Sequence, residues 1–476
     1  MESFERVMHY FEELSRIPRE SGDEKAVSDY LMEFAQQRKL EAYRDEKYNV
    51  IIKKPATATS CACPPVIIQG HTDMVYVRDP DCKIAYEDGI KLVYKDGWLS
   101  AEGTTLGADD GIAVAFALAV LDSDDIEHPD IEAVFTVSEE VGLLGAEALS
   151  YSLLKGKYLL NLDTEDEGVI FTSCAGAFRN EIIVPIEREA VTGMSCYCLK
   201  ISGLYGGHSG AEIHRGRGNA ITIMGRALAL LGDAVRVSSI SAEGKMNAIC
   251  NNCTAELMLV QNMHNAVSEK IKMLEAAINK ELGDRDTVLF TLSSCETGST
   301  MCYSEKSRRI VTSVLNLLPN GIIGMSYSIP DLVETSANPG IVEQRENELL
   351  IMSSCRSSVG SRKEEMRAHY AAIAELCGGE SICSGDYPQW EYNPNSPLRR
   401  LALESYKELF DVDAKEMAIH AGLECGFFSE RMPGLDIISY GPNLFDIHTP
   451  RERVEIKSLE RVWLLTKDIL KKLAKQ

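Results

Sequence analysis

The stretch VIIQGHTD at residues 66–73 passes from three branched apolar residues into a histidine and an aspartate. A short apolar run of this kind is typical of a buried β-strand. Residues 133–137 and 158–162 have the same character, and a long helical pattern over 111–121 precedes them. Because strands alternate with helices, the sequence predicts an α/β sheet in this part of the chain.

Imidazole or carboxylate side chains follow each of these runs and one further apolar run near the C-terminus. They are His71, Glu140, Asp163 and His448, and Asp109 stands just before the helical pattern. In an open α/β sheet, ligands bind beyond the carboxyl ends of the strands. The sequence therefore predicts that these five side chains converge on one crevice.

A mixture of imidazole and carboxylate groups suits Zn²⁺, Mn²⁺ or Co²⁺, whereas Ca²⁺ and Mg²⁺ prefer oxygen ligands. Two histidines and three carboxylates are enough for two ions if Asp109 is shared, which leaves a position for an activated water. Taken singly, the residues have ordinary alternatives: Asp109 and Asp110 could cap a helix, and Glu139 with Glu140 could form a solvated turn. Their common placement after strands favours the metal site.

The length of 476 residues exceeds what one compact core accommodates, so two domains are expected. The net charge of -23 repels a phosphate backbone, and we expect no nucleic-acid partner. The first residues lack the pattern of a signal peptide, and no apolar run reaches about 18 residues, so we expect no membrane span and a cytoplasmic location. The loop around Cys61 and Cys63 carries no functional assignment.

The pattern of predicted strands and helices changes twice along the sequence, which predicts an inserted domain. Residues 177–385 have the strand and helix pattern of an α+β domain, and residues 1–176 and 386–476 together have the α/β pattern. Near the N-terminus, Ser21 and Glu24 form a capping-box pattern that predicts the start of the second helix.

Three sequence motifs resemble the M20 metallopeptidases, closest to the aminoacyl-histidine dipeptidases. The motifs are GHTDMV at 70–75, GTTLGADDG at 103–111 and SEEVG at 138–142. The resemblance implies a catalytic domain with a mixed sheet flanked by helices and two Zn²⁺ ions, for which Mn²⁺ or Co²⁺ could substitute. It also implies that the inserted α+β domain is a lid through which two copies form a homodimer.

The resemblance also implies a role for each residue of the crevice. His71 and Asp163 would hold one metal, and Glu140 and His448 the other. Asp109 would bridge the two ions.

Two further residues of the motifs receive roles from the resemblance. Glu139 would be the general base, and Asp73 would orient the imidazole of His71. Asp110 stands where close relatives often have asparagine, which adds a negative charge near the metals.

The resemblance implies four residues that bind substrate, three of them in the inserted domain. In GGHSGA at 206–211, His208 would help to polarise the scissile carbonyl. Asn247 and Arg356 would bind the terminal carboxylate or backbone of the substrate, although both could instead serve packing or the dimer contact. Gly422 would let the backbone approach the substrate closely.

The function that the resemblance implies is hydrolysis of small peptides, namely Xaa-His and other unblocked dipeptides, through a metal-bridging water activated by Glu139. A related tripeptidase or an N-acyl-amino-acid deacylase is the enzymatic alternative, because one metal core can serve several amide substrates. A metal-binding scaffold without activity is the non-catalytic alternative.

Overall fold

The computed structural model describes residues 3–57, 62–295 and 300–475, so Cys61 lies outside the described residues. The chain forms two compact units. The first unit comprises the chain up to Cys174, Trp390–Ala418 and the chain from Leu423 onward. The second unit comprises Ala175–Gln389 and Ile419–Gly422.

The second unit begins and ends within a few residues of the predicted insertion at 177–385, and it also includes the short segment Ile419–Gly422. The backbone N–H of Ala175 donates hydrogen bonds to the carbonyl oxygens of Ile419, at 3.2 Å, and Ala421, at 3.0 Å. These bonds join residues that are far apart in the sequence. A prediction that follows the order of the chain therefore assigned the segment to the other domain.

The α-helices of the described residues are numbered in chain order. They are α1 (Ser3–Ser15), α2 (Lys25–Arg38), α3 (Ala108–Leu121), α4 (Leu144–Ala148), α5 (Ala220–Leu231), α6 (His264–Leu282), α7 (Glu305–Leu317), α8 (Gly360–Cys377), α9 (Pro397–Phe410), α10 (Cys425–Arg431) and α11 (Ile456–Ala474). None of them combines the length and the apolar character that crossing a membrane requires.

The strands of the first half of the chain include the apolar run at 66–71, which forms β3. They are β1 (Glu41–Arg44), β2 (Val50–Lys54), β3 (Val66–His71), β4 (Leu92–Lys95), β5 (Trp98–Ala101), β6 (Ile131–Thr136), β7 (Tyr158–Asn161), β8 (Val169–Cys174), β9 (Gly176–Pro185), β10 (Arg188–Ala190), β11 (Ser195–Ser202) and β12 (Arg236–Ser241). The remaining strands are β13 (Cys253–Leu259), β14 (Leu289–Ser294), β15 (Met301–Tyr303), β16 (Gly321–Met325), β17 (Val333–Gln344), β18 (Glu348–Ser357), β19 (Glu380–Tyr387), β20 (Lys415–Ile419), β21 (Asp436–Ser439), β22 (Leu444–Phe445) and β23 (Arg453–Glu455).

The first unit is built on an eight-stranded sheet with the order β1-β2-β6-β3-β7-β21-β8-β20. Strand β3 pairs in parallel with β6 and β7, and β21 pairs in parallel with β7. Strands β1 and β2 are antiparallel to each other, and β2 is antiparallel to β6. The sheet is therefore mixed and flanked by helices, which confirms the predicted fold class.

Helix α3 lies at the centre of the first core. Its sequence is apolar on every side after the first turn, and its residues from Gly111 to Leu121 are all buried. The ring of Phe116 packs 5.1 Å from that of Trp463 on α11. Burial on all sides fixes the helix, and so fixes Asp109 in its first turn.

The predicted capping box at the start of α2 is wrong. The helix begins at Lys25, and Glu24 makes no side-chain cap there. The Ser21 hydroxyl instead donates to Asp73 Oδ2 at 2.7 Å, and Glu24 Oε1 accepts from the backbone N–H of Ser138 at 3.0 Å. Both side chains are therefore used for tertiary contacts with the loops that follow β3 and β6.

The second unit contains two larger antiparallel sheets and helices α5 to α8. One sheet has the order β16-β17-β18-β9-β19, and the other has the order β12-β13-β11-β14. Apolar side chains of both sheets and of the helices form one hydrophobic core. This is the α+β arrangement that the sequence pattern predicted.

Candidate metal centre

The topology of the first sheet brings the predicted ligands together. Strands β6, β3, β7 and β21 are neighbours and run parallel, so their carboxyl ends lie at one edge of the sheet. His71 is the last residue of β3, Glu140 follows β6, and Asp163 follows β7. His448 comes from the segment between β22 and β23.

The side-chain atoms of the five predicted ligands lie within a few ångströms of one another. Nε2 of His71 is 3.1 Å from Asp109 Oδ1 and 3.7 Å from Asp163 Oδ1. Nε2 of His448 is 3.1 Å from Asp109 Oδ2 and 2.8 Å from Glu140 Oε1. Asp109 thus faces both histidines, one with each oxygen.

The donor atoms are of the kinds, and at the spacing, that fit a metal ion. Among the described residues, two overlapping groups each offer ligand atoms within 4.8 Å of one another: His71, Asp109 and Glu140, and His71, Asp110 and Asp163. Glu140 Oε1 is buried, and the imidazole Nε2 of His448 lies 2.8 Å from it. Imidazole and carboxylate atoms at such short separations are suited to a metal ion of the zinc type.

The electrostatics of the cluster favour positive charge. Hydrogen bonds with Asp109 and Glu140 raise the pKa of His448 to about 10. Burial lowers the pKa of His71, but hydrogen bonds with Asp109 and Asp163 outweigh it and raise that pKa well above its ordinary value. The carboxylates around the two histidines therefore favour positive charge at this point, which bound cations would supply.

The side chain of Asp110 does more at the site than add a negative charge near the proposed ligands. Its side chain is buried, and Oδ2 accepts a hydrogen bond from the backbone N–H of His71 at 3.2 Å. Burial, followed by the charge of Asp163, raises the pKa of Asp110 well above its ordinary value. The carboxyl group therefore supports the His71 backbone as well as standing beside the ligands.

Asp73 connects the imidazole of His71 to the loop after β6. Its Oδ1 lies 3.4 Å from His71 Nδ1, and the same oxygen accepts the backbone N–H of Glu139 at 3.1 Å. Its Oδ2 accepts the backbone N–H of Glu140 at 3.3 Å. One fully buried carboxylate thus faces the His71 imidazole and holds the backbone of two glutamates, and the carbonyl oxygen of Asp73 lies 3.1 Å from the same Nδ1.

Glu139 lies beside the ligand cluster, with Oε2 4.0 Å from His71 Nε2. Burial and the charges of Asp163 and Glu424 raise the pKa of Glu139 well above its ordinary value, against the opposing charge of His71. A carboxyl group with a raised pKa is suited to exchanging protons near neutral pH.

Glu424 is a buried acid of the first unit that the sequence analysis missed. Its Oε2 accepts hydrogen bonds from Gln69 Nε2 at 2.6 Å and Thr136 Oγ1 at 2.7 Å. The same network continues to Asn161, whose Nδ2 donates to Gln69 Oε1 at 2.6 Å. A single acid among the apolar residues of GLECGFF at 422–428 is the sequence signal that could have identified it.

The second unit brings together three of the four predicted substrate-binding residues. Arg356 on β18 donates through Nη1 to the Tyr387 hydroxyl at 2.8 Å, and its Nε is buried without a hydrogen-bond partner among the described residues. Burial and the charge of Arg356 lower the pKa of His208. A Cβ added at Gly422 would lie 2.6 Å from Tyr387 Cε2, so the glycine there makes room for the tyrosine ring.

Asn247 joins this group through its backbone, because its carbonyl oxygen accepts the N–H of Ser209 at 2.8 Å. Its side chain is exposed. His420 is a further residue of the group that the sequence analysis did not select: its Nε2 lies 2.7 Å from Ser336 Oγ. Burial and the charge of Arg356 lower the pKa of His420 to about 3, so its ring is neutral.

Comparisons with known proteins show the family to which the chain is similar. A family model described as peptidase family M20/M25/M40 matches residues 67–472. A cytosol non-specific dipeptidase of Escherichia coli is 34% identical over 467 residues, which cover 97% of this chain and 96% of the relative. The crystal structure of aminoacylhistidine dipeptidase from Vibrio alginolyticus matches with a TM-score of 0.93 and 32% identity, over 98% of this chain and 96% of that chain.

A more distant similarity concerns the fold alone. The crystal structure of a tripeptidase from Staphylococcus aureus matches with a TM-score of 0.57 and 19% identity, over 99% of each chain.

Proposed function

Because the chain belongs to peptidase family M20/M25/M40, we propose that it is a metal-dependent dipeptidase that hydrolyses unblocked dipeptides, Xaa-His dipeptides among them. The observation that carries the proposal is the convergence of two histidines and three carboxylates at one sheet edge, with Glu139 beside them. The choice of dipeptides rests on the names of the relatives from Escherichia coli and Vibrio alginolyticus.

Two metal ions are proposed, with zinc as the first choice and Mn²⁺ or Co²⁺ as substitutes, because imidazole and carboxylate ligands suit these ions. The ligands of one would be His71 and Asp163, and those of the other Glu140 and His448, with Asp109 shared. When bound, such a pair supplies Lewis-acid chemistry, which polarises the scissile carbonyl and makes water more acidic.

Glu139 is proposed to move the proton in the reaction. As a carboxylate, it accepts a proton from the water that attacks the peptide carbonyl carbon. It then gives that proton to the leaving amine as the carbon–nitrogen bond breaks, which returns the carboxylate. Asp73 keeps Glu139 in place, since it accepts the backbone N–H of that residue at 3.1 Å.

The second unit is proposed to recognise the ends of the dipeptide. The planar guanidinium of Arg356 is suited to a bidentate contact with the terminal carboxylate of a peptide. His208 would donate a hydrogen bond to the carbonyl oxygen under attack. Asn247 would contact the backbone of the substrate, and Gly422 would border it.

The proposal is tested by two measurements on the purified protein. Elemental analysis is expected to find about two zinc ions per chain, in line with the ligand count. In a substrate panel of β-Ala-His, Leu-Leu, Leu-Leu-Leu and N-acetyl-leucine, the two dipeptides are expected to have the highest kcat/KM. A strong preference for the tripeptide or the acetylated amino acid would instead support one of the enzymatic alternatives, and no hydrolysis would support a scaffold.

We also propose that two copies associate through the second unit and that the protein resides in the cytoplasm. The edge strand β16 exposes Ile322, Ile323 and Met325, which supports a contact there. The name of the Escherichia coli relative supports the location. Light scattering after gel filtration tests the first point, since a monomer would contradict it, and cell fractionation tests the second.

A further inference from the structure

Arg19 is a buried arginine in the segment between α1 and α2, and it reaches two loops that carry proposed metal ligands. Its Nη1 donates to the carbonyl oxygen of Thr72 at 2.9 Å and to the next carbonyl at 3.3 Å. Its Nη2 donates to the carbonyl oxygen of Gly107. Thr72 follows His71 directly, and Gly107 lies two residues before Asp109. One planar guanidinium therefore fixes the spacing of both loops.

Two glycines of the GADDG motif leave the room that this guanidinium occupies. A Cβ added at Gly107 would lie 2.5 Å from Arg19 Nη2, and one added at Gly111 would lie 2.6 Å from the same nitrogen. Both separations are too short for a real contact, so a larger side chain at either position would displace the guanidinium. The motif and Arg19 thus form one packed unit.

Glu452 connects the same loop to the segment that carries His448. It lies between β22 and β23, in the segment that contains His448. Its buried carboxylate accepts hydrogen bonds, at 2.8, 3.0, 2.8 and 3.4 Å, from the consecutive backbone N–H groups of Leu106, Gly107, Ala108 and Asp109. These groups lead into α3, so the carboxylate also faces the positive end of the helix dipole.

The charge of Arg19 lies among carboxylates. Burial lowers the pKa of Arg19, and the negative charges of Glu452, Asp73, Asp110 and Asp109 oppose this change. An arginine in a protein keeps its proton, so a permanent positive charge stands behind the acidic cluster. That charge reduces the mutual repulsion of the carboxylates before any cation binds.

We propose that Arg19 and Glu452 are positioning residues that hold the His71, Asp109 and His448 loops in the metal-binding arrangement. Arg19 joins the first loop to the second, and Glu452 joins the second to the third. Neither side chain is a ligand or touches the reacting atoms. The inference rests on the proposed metal site, and it predicts that both residues set the affinity for metal more than the stability of the fold.

The test compares the zinc affinity of Arg19→Lys and Glu452→Gln with that of the wild-type protein. Lysine keeps the charge but cannot span both loops, and glutamine keeps the size but loses acceptor capacity. Competition with a chromophoric zinc chelator is expected to show a loss of affinity of about tenfold or more for each variant. Excess zinc is expected to restore much of the kcat for Leu-Leu.

Two buried residues of the same unit serve as matched controls. Arg399 donates to the carbonyl oxygens of Asn393, at 2.7 Å, and Pro394, at 2.9 Å. Glu132 accepts the backbone N–H groups of Lys155, at 2.8 Å, and Gly156, at 2.9 Å. Arg399→Lys and Glu132→Gln lose interactions of the same kind away from the ligand loops, so their zinc affinity is expected to stay within about threefold of the wild-type value.

The outcomes separate the inference from the proposed function. A wild-type protein that binds no zinc would overturn the proposed metal site itself. The positioning roles alone would be overturned if the wild-type protein binds zinc and both folded variants, Arg19→Lys and Glu452→Gln, bind zinc as tightly as their control variants. If Arg19→Lys does not fold, as circular dichroism would show, the result for Glu452→Gln decides the question.

Discussion

Asp109 lies between the two histidines of the candidate centre, with Oδ1 3.1 Å from His71 Nε2 and Oδ2 3.1 Å from His448 Nε2. The two histidines come from distant parts of the chain. A carboxylate that faces both is in the position expected of a ligand shared by two ions.

Asp109→Asn is expected to lower the bound metal to about one ion per chain or fewer, because the amide retains a single oxygen. The same change is expected to reduce kcat/KM for Leu-Leu by at least about 100-fold, more than is usual for residues that only support a ligand. Elemental analysis and steady-state kinetics measure the two effects. Asp122→Asn, at the other end of α3, is the control and should retain both metals.

Glu139→Gln is expected to lower kcat by roughly 10²- to 10⁴-fold and to leave the metal content unchanged, because it removes a base and no proposed ligand. Glutamine preserves the backbone N–H that Asp73 accepts, so the loop should keep its position. Glu147→Gln, an exposed change on the nearby α4, is the control. Full activity of Glu139→Gln would mean that another group takes the proton.

Sequence reasoning predicted the convergence of the proposed ligands better than it predicted the contacts that support them. The run 66–71 predicted both a buried strand and the position of His71, because side-chain chemistry at a strand end is a local property. The partners of Arg19 and Glu452 are backbone groups of remote loops. No residue pattern identifies a backbone acceptor or donor in a remote loop, so these contacts depend on the folded topology.

The error at Ser21 has the same cause. The pattern that it forms with Glu24 is a genuine local preference, but the hydroxyl donates to Asp73 instead. Tertiary hydrogen bonds to buried carboxylates can outweigh a helix cap, which contributes about 1 kcal/mol.

Glu424 is expected to make the stability of the metal-free protein depend on pH. Burial raises the pKa of Glu424 from 4.5 to about 7. Between these values the folded protein holds a proton that the unfolded chain has released, so a rise in pH through this range favours unfolding. Above the folded pKa the protein carries the full cost of a buried charge.

Glu424→Gln removes this dependence, because glutamine stays neutral and can still accept from Gln69 and Thr136. The free energy of unfolding is measured with urea, in the presence of a chelator, at about pH 5 and about pH 7.5. We expect it to fall between the two pH values, and to fall by about 1–3 kcal/mol less in the variant than in the wild-type protein. Glu430→Gln, an exposed change on α10, should behave as the wild-type protein does. Equal pH dependence in all three proteins would show that Glu424 is ionised at low pH.

Arg356→Lys is expected to raise KM for Leu-Leu by about tenfold to 100-fold, since a hydrogen bond to a charged group contributes about 1.5–3 kcal/mol. The lysine ammonium is a point charge that cannot make the planar, two-point contact of the guanidinium, and the hydrogen bond to the Tyr387 hydroxyl at 2.8 Å is lost. The effect should be specific to the free carboxylate, so the wild-type preference for Leu-Leu over Leu-Leu amide should shrink in the variant. Arg362→Lys, on α8 of the same unit, should retain that preference. If Arg356→Lys raises KM equally for Leu-Leu and Leu-Leu amide, the arginine serves packing and does not bind the terminal carboxylate of the peptide.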